Sequence, residues 1–262
     1  MEMGLKGRTV IVAASSEGIA RAAACKFAAE GANLALCSRD EMKISATADE
    51  IRQRYSVGVV NEAFDVADFN KVHGFVERVA KEFGRVDVCV TNAGGPPPKM
   101  FLETIVEEWH RAVELNLMSV ISFAQAALPY MQRKQWGRIV TITSVTVRQP
   151  VHNLVYSNVV RSGVVGLVKS LSNEFGKEGI TVNNVAPGFT ATERLKEFAA
   201  ASGEAAGITG EDFLQGLGSE TALKRVAEPN EVADAVVWLA SERASYVTGQ
   251  TLLVDGGAYK GL

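Results

Sequence analysis

The chain has 262 residues, of which 47% are hydrophobic and 22% are charged, a composition that excludes a disordered protein. This length suits one large α/β domain or two small ones. The net charge of −3 leaves no broad basic surface, so the composition also argues against a nucleic-acid partner.

The remaining bulk features predict a cytoplasmic protein. The cysteines Cys25, Cys37 and Cys89 lie far apart in apolar stretches, as expected of reduced, buried thiols. The first residues run directly into a strand pattern, which leaves no room for a signal peptide. Residues 115–131 are uncharged but include polar side chains, and they are fewer than the ~20 residues of a membrane span. We therefore expect a buried core helix there, no membrane association and no metal site.

Short β-rich runs alternate with longer helical patterns along the chain. The predicted strands are Thr9–Ala14, Asn33–Ser38, Val57–Asp65, Val86–Thr91, Arg138–Ser144, Thr181–Ala186 and Thr251–Val254. The predicted helices cover residues 18–30, 41–55, 69–83, 105–133, 156–178 and 229–241. This alternation indicates an α/β protein with a doubly wound parallel sheet of about seven strands and helices on both faces, a Rossmann fold.

No linker interrupts the pattern before residue 190, so we expect a single domain over residues 1–262. Residues 199–218 are rich in Ala, Gly, Ser and acidic side chains, which suits either a flexible surface loop or a lid. Because ligands bind at the carboxyl ends of strands in such sheets, we favour a substrate lid over residues 190–225.

The first strand is followed by a turn that suits a diphosphate. The sequence Val-Ala-Ala-Ser-Ser-Glu-Gly-Ile-Ala at residues 12–20 leads into a helix, whose N-terminus directs amides and the positive dipole end at an anion. The expected contacts are Ala14, Ser15, Ser16, Gly18 and Ile19. Gly18 is the one glycine that remains of the three in the usual fingerprint. If Ala14 needs a positive φ, that conformation costs on the order of 1 kcal/mol.

This turn resembles the Thr-Gly-x-x-x-Gly-x-Gly loop of the short-chain dehydrogenase/reductase family, and other family landmarks follow in order over nearly the whole chain. The resemblance implies a dinucleotide cofactor and homo-oligomers, either dimers or tetramers. It assigns further cofactor contacts to Asp65-Val66, to Asn92-Ala93-Gly94, and to Pro187, Gly188, Thr190 and Thr192.

The end of the second strand bears on the choice of cofactor. A carboxylate there would select NAD through the ribose hydroxyl, whereas this chain has Ser38 and Arg39. The Arg39 guanidinium can bind a 2′-phosphate in a forked geometry. Glu17 has the opposite effect, because its charge would repel that phosphate. We expect NADP(H) to be preferred, with NAD(H) possible.

The catalytic segment departs from the family pattern Ser-x12-Tyr-x3-Lys. The resemblance assigns Ser144 to the carbonyl-binding Ser and Asn116 to the Asn that holds a relay water. One register uses Tyr156 as the family Tyr, but then Val160 takes the place of Lys. The gapless register, which we prefer, places Ser157 and Arg161 at the two positions. The chain here is similar to a divergent branch close to 3-oxoacyl-[acyl-carrier-protein] reductases, with Asn-Ala-Gly-Gly-Pro-Pro-Pro at 92–98 and Ser-Asn-x-x-Arg.

These substitutions change the proton chemistry. A serine hydroxyl is a much weaker acid than a phenol, and Arg161 keeps its charge. The proton could come from Tyr156, from His152, or from a water ordered by Asn116 and Ser157. We expect an NADP(H)-dependent oxidoreductase with an atypical Tyr/Lys pair that acts on a small ketone or 3-oxoacyl substrate. The alternative is a catalytically impaired dinucleotide-binding sensor or structural protein.

Overall fold

A computed structural model describes residues 2–262 and contains one parallel sheet of seven strands in the order β3-β2-β1-β4-β5-β6-β7. The strands are β1 Thr9–Ala13, β2 Asn33–Ser38, β3 Val59–Ala63, β4 Val88–Thr91, β5 Gly137–Ile142, β6 Ile180–Pro187 and β7 Thr251–Val254. The helices are α1 Gly18–Ala29, α2 Glu41–Arg54, α3 Phe69–Phe83, α4 Val106–Val113, α5 Ser119–Lys134, α6 Val155–Phe175, α7 Glu193–Ala206, α8 Gly210–Ser219 and α9 Pro229–Leu239.

Apolar strands buried on both faces explain this architecture and confirm the predicted doubly wound sheet. All residues of β1, β4, β5 and β6 are buried. One core cluster packs α1, α2 and α9 against one face of the sheet, and a second packs α3, α5 and α6 against the other. The chain leaves neighbouring strands β1 and β4 in opposite directions, which opens a crevice at their carboxyl ends.

The opposite, amino-terminal edge of the sheet holds a compact charged cluster. The fully buried Asp87 carboxylate accepts hydrogen bonds from the Thr9 amide at 2.8 Å and from the Arg85 guanidinium at 2.6 and 2.7 Å. The guanidinium groups of Arg8 and Arg138 both stack on the Trp136 ring, at 3.7 and 4.2 Å from its centroid. The charges at this edge therefore have partners within the protein.

Several predicted boundaries were too long. The third strand ends at Ala63 and the fifth at Ile142, so that Asp65 and Ser144 lie in the loops that follow. Ala14 likewise lies just beyond β1. The predicted helix over 105–133 is continuous but contains a π-helical turn at Glu114–Met118.

The flexible-loop alternative for residues 199–218 was wrong, because most of this segment is helical. Helices α7 and α8 pack closely on each other through glycines: a Cβ atom on Gly203 would lie 2.9 Å from the Thr209 carbonyl oxygen, and one on Gly210 would lie 3.0 Å from Cα of Ala200. Contact between the two helices stabilises a segment whose composition favours a loop.

The cysteine and core-helix predictions hold with one correction. All three cysteines are free, but Cys25 is only half-buried, whereas burial raises the pKa of Cys37 to about 12. Residues Val106–Lys134 form a helix long and apolar enough to cross a membrane, and 56% of its most apolar window is buried within the fold, as in a core helix.

Candidate active site

The turn after β1 has the geometry of an anion-binding loop. Ala14 adopts a φ of 49° and Gly18 a φ of 61°. Ser15 is fully buried and donates its hydroxyl to the Val12 carbonyl at 2.9 Å, while Ser16 and Ile19 are partly buried beside it. Helix α1 begins at Gly18 without a side-chain cap, so its first amides remain available to a ligand. The strain anticipated at Ala14 is therefore present.

The loop after β6 lies against this turn. A Cβ atom on Gly18 would lie 3.2 Å from Cγ2 of Thr192, which caps α7 by accepting a hydrogen bond from the Leu195 amide. Thr190 is buried and donates to the Gly188 carbonyl at 3.2 Å. Pro187 ends β6. The structure thus brings the 187–192 segment next to the turn that follows β1.

The region after β2 contains one charge that sequence reasoning missed. Arg39 is exposed, and Ser38 is buried with its hydroxyl on the Asp40 backbone. Lys43, on the first turn of α2, forms an ion pair with Glu17 at 2.8 Å. Because Lys43 compensates the Glu17 carboxylate, Glu17 opposes a 2′-phosphate less than its sequence position suggests.

Asp65 is held in the loop after β3. Its carboxylate accepts from the Ala67 amide at 3.0 Å and from Arg111 at 2.5 Å. Partial burial raises the pKa of Asp65, but the Ala67 amide and the Arg111 charge outweigh it and hold the pKa below its ordinary value. Val66, next in the chain, is buried.

The loop after β4 is held on both sides. The Asn92 amide donates to the Ala14 carbonyl at 3.5 Å, which connects the ends of β1 and β4. Beyond Ala93 and Gly94, Arg194 at the start of α7 donates to the Gly95 carbonyl at 2.6 Å and to the Pro96 carbonyl at 2.9 Å. A Cβ atom on Gly95 would collide with this guanidinium at 2.9 Å.

The first turn of α6 directs successive side chains to different neighbours. Tyr156 is fully buried, and its hydroxyl donates to Oε2 of Glu108 on α4 at 2.5 Å. Burial and the Glu108 hydrogen bond raise the pKa of Tyr156. A phenol has a single proton to donate, and here Glu108 accepts it.

Ser157 faces the carboxyl end of β5. Its hydroxyl lies 3.1 Å from Oγ1 of Thr146, and the Thr146 amide donates to Oγ of Ser144 at 3.3 Å. The structure thus brings Ser144 and Ser157 together through Thr146, a residue that sequence reasoning missed.

Arg161 lies one helical turn after Ser157 on the same side of α6. It is 8% exposed, and its Nη1 donates to the Ile142 carbonyl at the end of β5 at 3.3 Å. Burial, together with the neighbouring charge of Arg194, lowers the pKa of Arg161 to about 10. The side chain thus remains cationic at neutral pH.

Asn116 lies within the π-helical turn and is buried. Its amide nitrogen donates to the Ala112 carbonyl at 3.3 Å, and its Oδ1 has no hydrogen-bond partner. An acceptor left without a partner in a buried position costs free energy unless a water or ligand satisfies it.

These residues fit a dinucleotide. The uncapped start of α1 suits a diphosphate, and Arg39 and Lys43 provide cations after β2 where a 2′-phosphate would need them. Ser144, Ser157 and Arg161 provide hydroxyls and a cation beside the end of β5, which can bind and polarise a carbonyl oxygen.

The chain has extensive similarity to known proteins. A family model described as enoyl-(acyl carrier protein) reductase matches residues 13–259. The 3-oxoacyl-[acyl-carrier-protein] reductase FabG of Escherichia coli (strain K12) is 34% identical over 98% of this chain and 99% of its own length. The FabG protein of Aquifex aeolicus (strain VF5) is 30% identical over 99% and 100%.

Two solved structures show the same fold. L-sorbose reductase from Gluconobacter frateurii, solved with NADPH and L-sorbose, superposes with a TM-score of 0.97 at 33% identity and covers 100% of both chains. YwfH, an NADPH-dependent reductase involved in bacilysin biosynthesis, has a TM-score of 0.92 at 28% identity and covers 97% of this chain and 99% of its own.

Proposed function

Because the chain belongs to the short-chain dehydrogenase/reductase family of oxidoreductases, we propose that it is an NADP(H)-dependent enzyme that interconverts a carbonyl and an alcohol on a small molecule of the 3-oxoacyl or small-ketone type. Its full-length similarity to FabG proteins supports the first substrate class, and the L-sorbose reductase structure supports the second. The active site differs from the family pattern at the Tyr and Lys positions.

The placement of Ser157 and Arg161 is the observation that carries this proposal. Both side chains lie on the face of α6 that meets the carboxyl end of β5, Ser157 at Thr146 and Arg161 at Ile142. This arrangement supports the gapless register, in which Ser157 and Arg161 stand at the Tyr and Lys positions.

In the proposed reaction, bound NADPH would supply the hydride that reduces the carbonyl carbon. Ser144 donates a hydrogen bond to the substrate oxygen, and the fixed charge of Arg161 stabilises the negative charge that develops there. Ser157 is too weak an acid to replace a phenol alone. The unpaired Oδ1 of Asn116 supports a water as the proton source, ordered between Asn116 and Ser157. The other two candidate proton donors are less suitable, because His152 is exposed and the Tyr156 hydroxyl already donates its proton to Glu108.

The cofactor would bind across the carboxyl edge of the sheet. Residues 14–19 would hold the diphosphate, Ser38 and Arg39 the adenosine ribose and its 2′-phosphate, and Asp65-Val66 the adenine. Residues 92–94 and 187–192 would flank the nicotinamide half. Lys43 is a further candidate near the 2′-phosphate, because its pairing with Glu17 places its ammonium at the start of α2.

We also propose a cytoplasmic homo-oligomer, either a dimer or a tetramer, in which one domain over residues 1–262 carries the whole site. Exposed apolar side chains on the continuous helix Val106–Lys134 and on α6 support assembly, among them Val113, Met118 and Val159. The 190–225 segment would act as the substrate lid. Its helix α7 is held to the loop after β4 by the hydrogen bond from Arg194 to the Gly95 carbonyl.

The test is to incubate purified protein with NADPH and a panel of 3-oxoacyl thioesters and small ketones, L-sorbose included. We expect NADPH oxidation with at least one of these classes, and loss of that activity in Ser144→Ala. Tight NADPH binding without oxidation in the presence of any carbonyl compound would instead favour the dinucleotide sensor. Absence of binding would refute both functions.

A further inference from the structure

Lys99, Glu108, Trp109 and Tyr156 form a cluster, here named the Tyr156 cluster, beside the first turn of α6. Tyr156 donates its hydroxyl to Glu108 at 2.5 Å, and Lys99 Nζ donates to both oxygens of the same carboxylate at 2.7 and 2.8 Å. The Trp109 ring contacts the Tyr156 ring edge-on at 4.6 Å between centroids. The Glu108 carboxylate thus accepts hydrogen bonds from both the Lys99 ammonium and the Tyr156 hydroxyl.

The Tyr156 cluster connects three separate parts of the chain. Lys99 belongs to the loop after β4, and its amide donates to the Asn153 carbonyl at 2.6 Å, just before α6. Glu108 and Trp109 belong to α4, and the Trp109 indole is itself held by Thr104 at 3.0 Å. Tyr156 is the part of α6 that enters this cluster, and it is fully buried there.

The packing of Tyr156 against α4 is one of the contacts that orient the first turn of α6. Adjacent helical residues differ by about 100° around the axis, whereas Ser157 and Arg161 share one face. With Tyr156 fixed against α4, Ser157 is turned toward Thr146 and Arg161 toward Ile142. The Asn158 side chain also holds this turn, since it accepts from the Val151 amide at 3.1 Å and donates to the Val151 carbonyl at 3.0 Å, whereas Leu154 contributes no side-chain cap.

We propose that Tyr156 is a positioning residue, whose hydrogen bond to Glu108 sets the orientation of the first turn of α6 and so directs Ser157 and Arg161 into the active site. This inference rests on the proposed function, in which Ser157 and Arg161 act on the substrate and cofactor. Tyr156 itself transfers no proton in the reaction.

The test is a set of mutant cycles. Tyr156→Phe removes the hydroxyl but keeps the ring on Trp109, and Glu108→Leu removes its acceptor. Each single variant should lower kcat by roughly 10- to 100-fold, because displacement of reacting groups by about 1 Å has effects of that size. The kcat of the double variant should be no lower than that of the more impaired single variant, because both substitutions break the same hydrogen bond. In a Ser157→Ala background, Tyr156→Phe should have a smaller effect on kcat than in the wild type, because only the displacement of Arg161 remains.

NADPH affinity provides a readout that does not require turnover. We expect Tyr156→Phe and Glu108→Leu to weaken NADPH binding to a similar degree, because both displace Arg161, while Tyr246→Phe, at a fully exposed residue near the amino-terminal edge of the sheet, changes nothing. Lys99→Met, at the more exposed end of the cluster, serves where Glu108→Leu does not fold, and should shift the NADPH dissociation constant in the same direction.

The outcomes separate the two proposals. If Tyr156→Phe abolishes turnover in every background while Glu108→Leu remains active, Tyr156 is a proton donor and the positioning role is refuted. The role is also refuted if Tyr156→Phe lowers Tm but leaves kcat and NADPH affinity unchanged. If Ser157→Ala alone is fully active, the proposed register fails instead.

Discussion

The two edges of the sheet use charged and polar groups in opposite ways. At the amino-terminal edge, the buried Asp87 carboxylate is bound by Arg85 and the Thr9 amide, and Arg138 donates to main-chain carbonyls at 2.8 and 3.1 Å. At the carboxyl edge, the buried Arg161 donates to one carbonyl, and Asn116 has an acceptor without a partner.

The backbone of the carboxyl edge has two features that suit ligand binding. Ala14 adopts a positive φ at the carboxyl edge, in a turn where an L-residue is strained, and α1 begins there without a side-chain cap. Hydroxyls without a partner and a positive φ also occur at the amino-terminal edge, at Thr9, Thr181 and Gln135, so the contrast between the edges rests on their charged groups. We conclude that the amino-terminal edge contributes to stability and the carboxyl edge to binding, so substitutions at the two edges should have separable effects.

Replacing Arg161 should have the largest effect. Arg161→Met removes the charge beside Ser157, and we expect kcat to fall by roughly 100- to 1000-fold, as when one oxyanion-stabilising donor is lost. Because the pKa of Arg161 is about 10, its charge and its contribution to NADPH binding should not change between pH 6 and 8. Steady-state kinetics and binding measured over this pH range would test both statements. Stability should be unchanged or higher, since a buried charge is removed.

Replacing Asp87 should have the converse effect. Asp87→Asn keeps the shape of the side chain but weakens its charge-assisted hydrogen bonds, so we expect the free energy of unfolding to fall by about 2 kcal/mol. Chemical denaturation would measure this loss, with the exposed Asp49→Asn as the control. NADPH affinity should remain at the wild-type value. A large change in affinity without a change in stability would contradict the division between the two edges.

Arg39 should account for part of the cofactor preference. Arg39→Ala is expected to weaken NADPH binding roughly tenfold, the value of a hydrogen bond to a charged group, and to leave NADH binding unchanged. Fluorescence titrations with both cofactors would measure the ratio. Arg52→Ala, which removes an exposed arginine within α2, is the control. Equal losses for NADPH and NADH would show that Arg39 does not contact the 2′-phosphate.

Replacing Ala14 should have the smallest effect, and it should stabilise the protein rather than impair it. Ala14→Gly should relieve the positive-φ conformation and raise the free energy of unfolding by up to about 1 kcal/mol. Ala13→Gly, in the adjacent buried strand, should lower it. A destabilised Ala14→Gly variant would show that the turn carries no strain.

The sequence predicted the sheet well because the buried strands and helices carry strong local patterns. Helices α7 and α8 were missed because Ala, Gly and Ser give a weak helical signal, and because the close approach of Gly203 and Gly210 depends on packing. One local signal was available, the Thr209–Asp212 capping box at the start of α8.

The site residues divide in the same way. The turn at 14–18 and the candidate Ser157 and Arg161 could be identified from order and spacing. Lys43, Glu108, Thr146 and Arg194 could not, because each acts through a contact with a residue distant in the chain, as in the pairs Lys43–Glu17 and Arg194–Gly95. The π-helical turn around Asn116 had no recognisable sequence signal.

The central claim is that the carboxyl edge of the sheet binds a nicotinamide dinucleotide. Isothermal titration of the folded protein with NADPH and NADH tests it most directly. We predict saturable binding with one site per chain and a higher affinity for NADPH, with binding weakened in Arg161→Met and unchanged in Asp87→Asn. Folded protein that binds neither cofactor in either redox state would contradict the account.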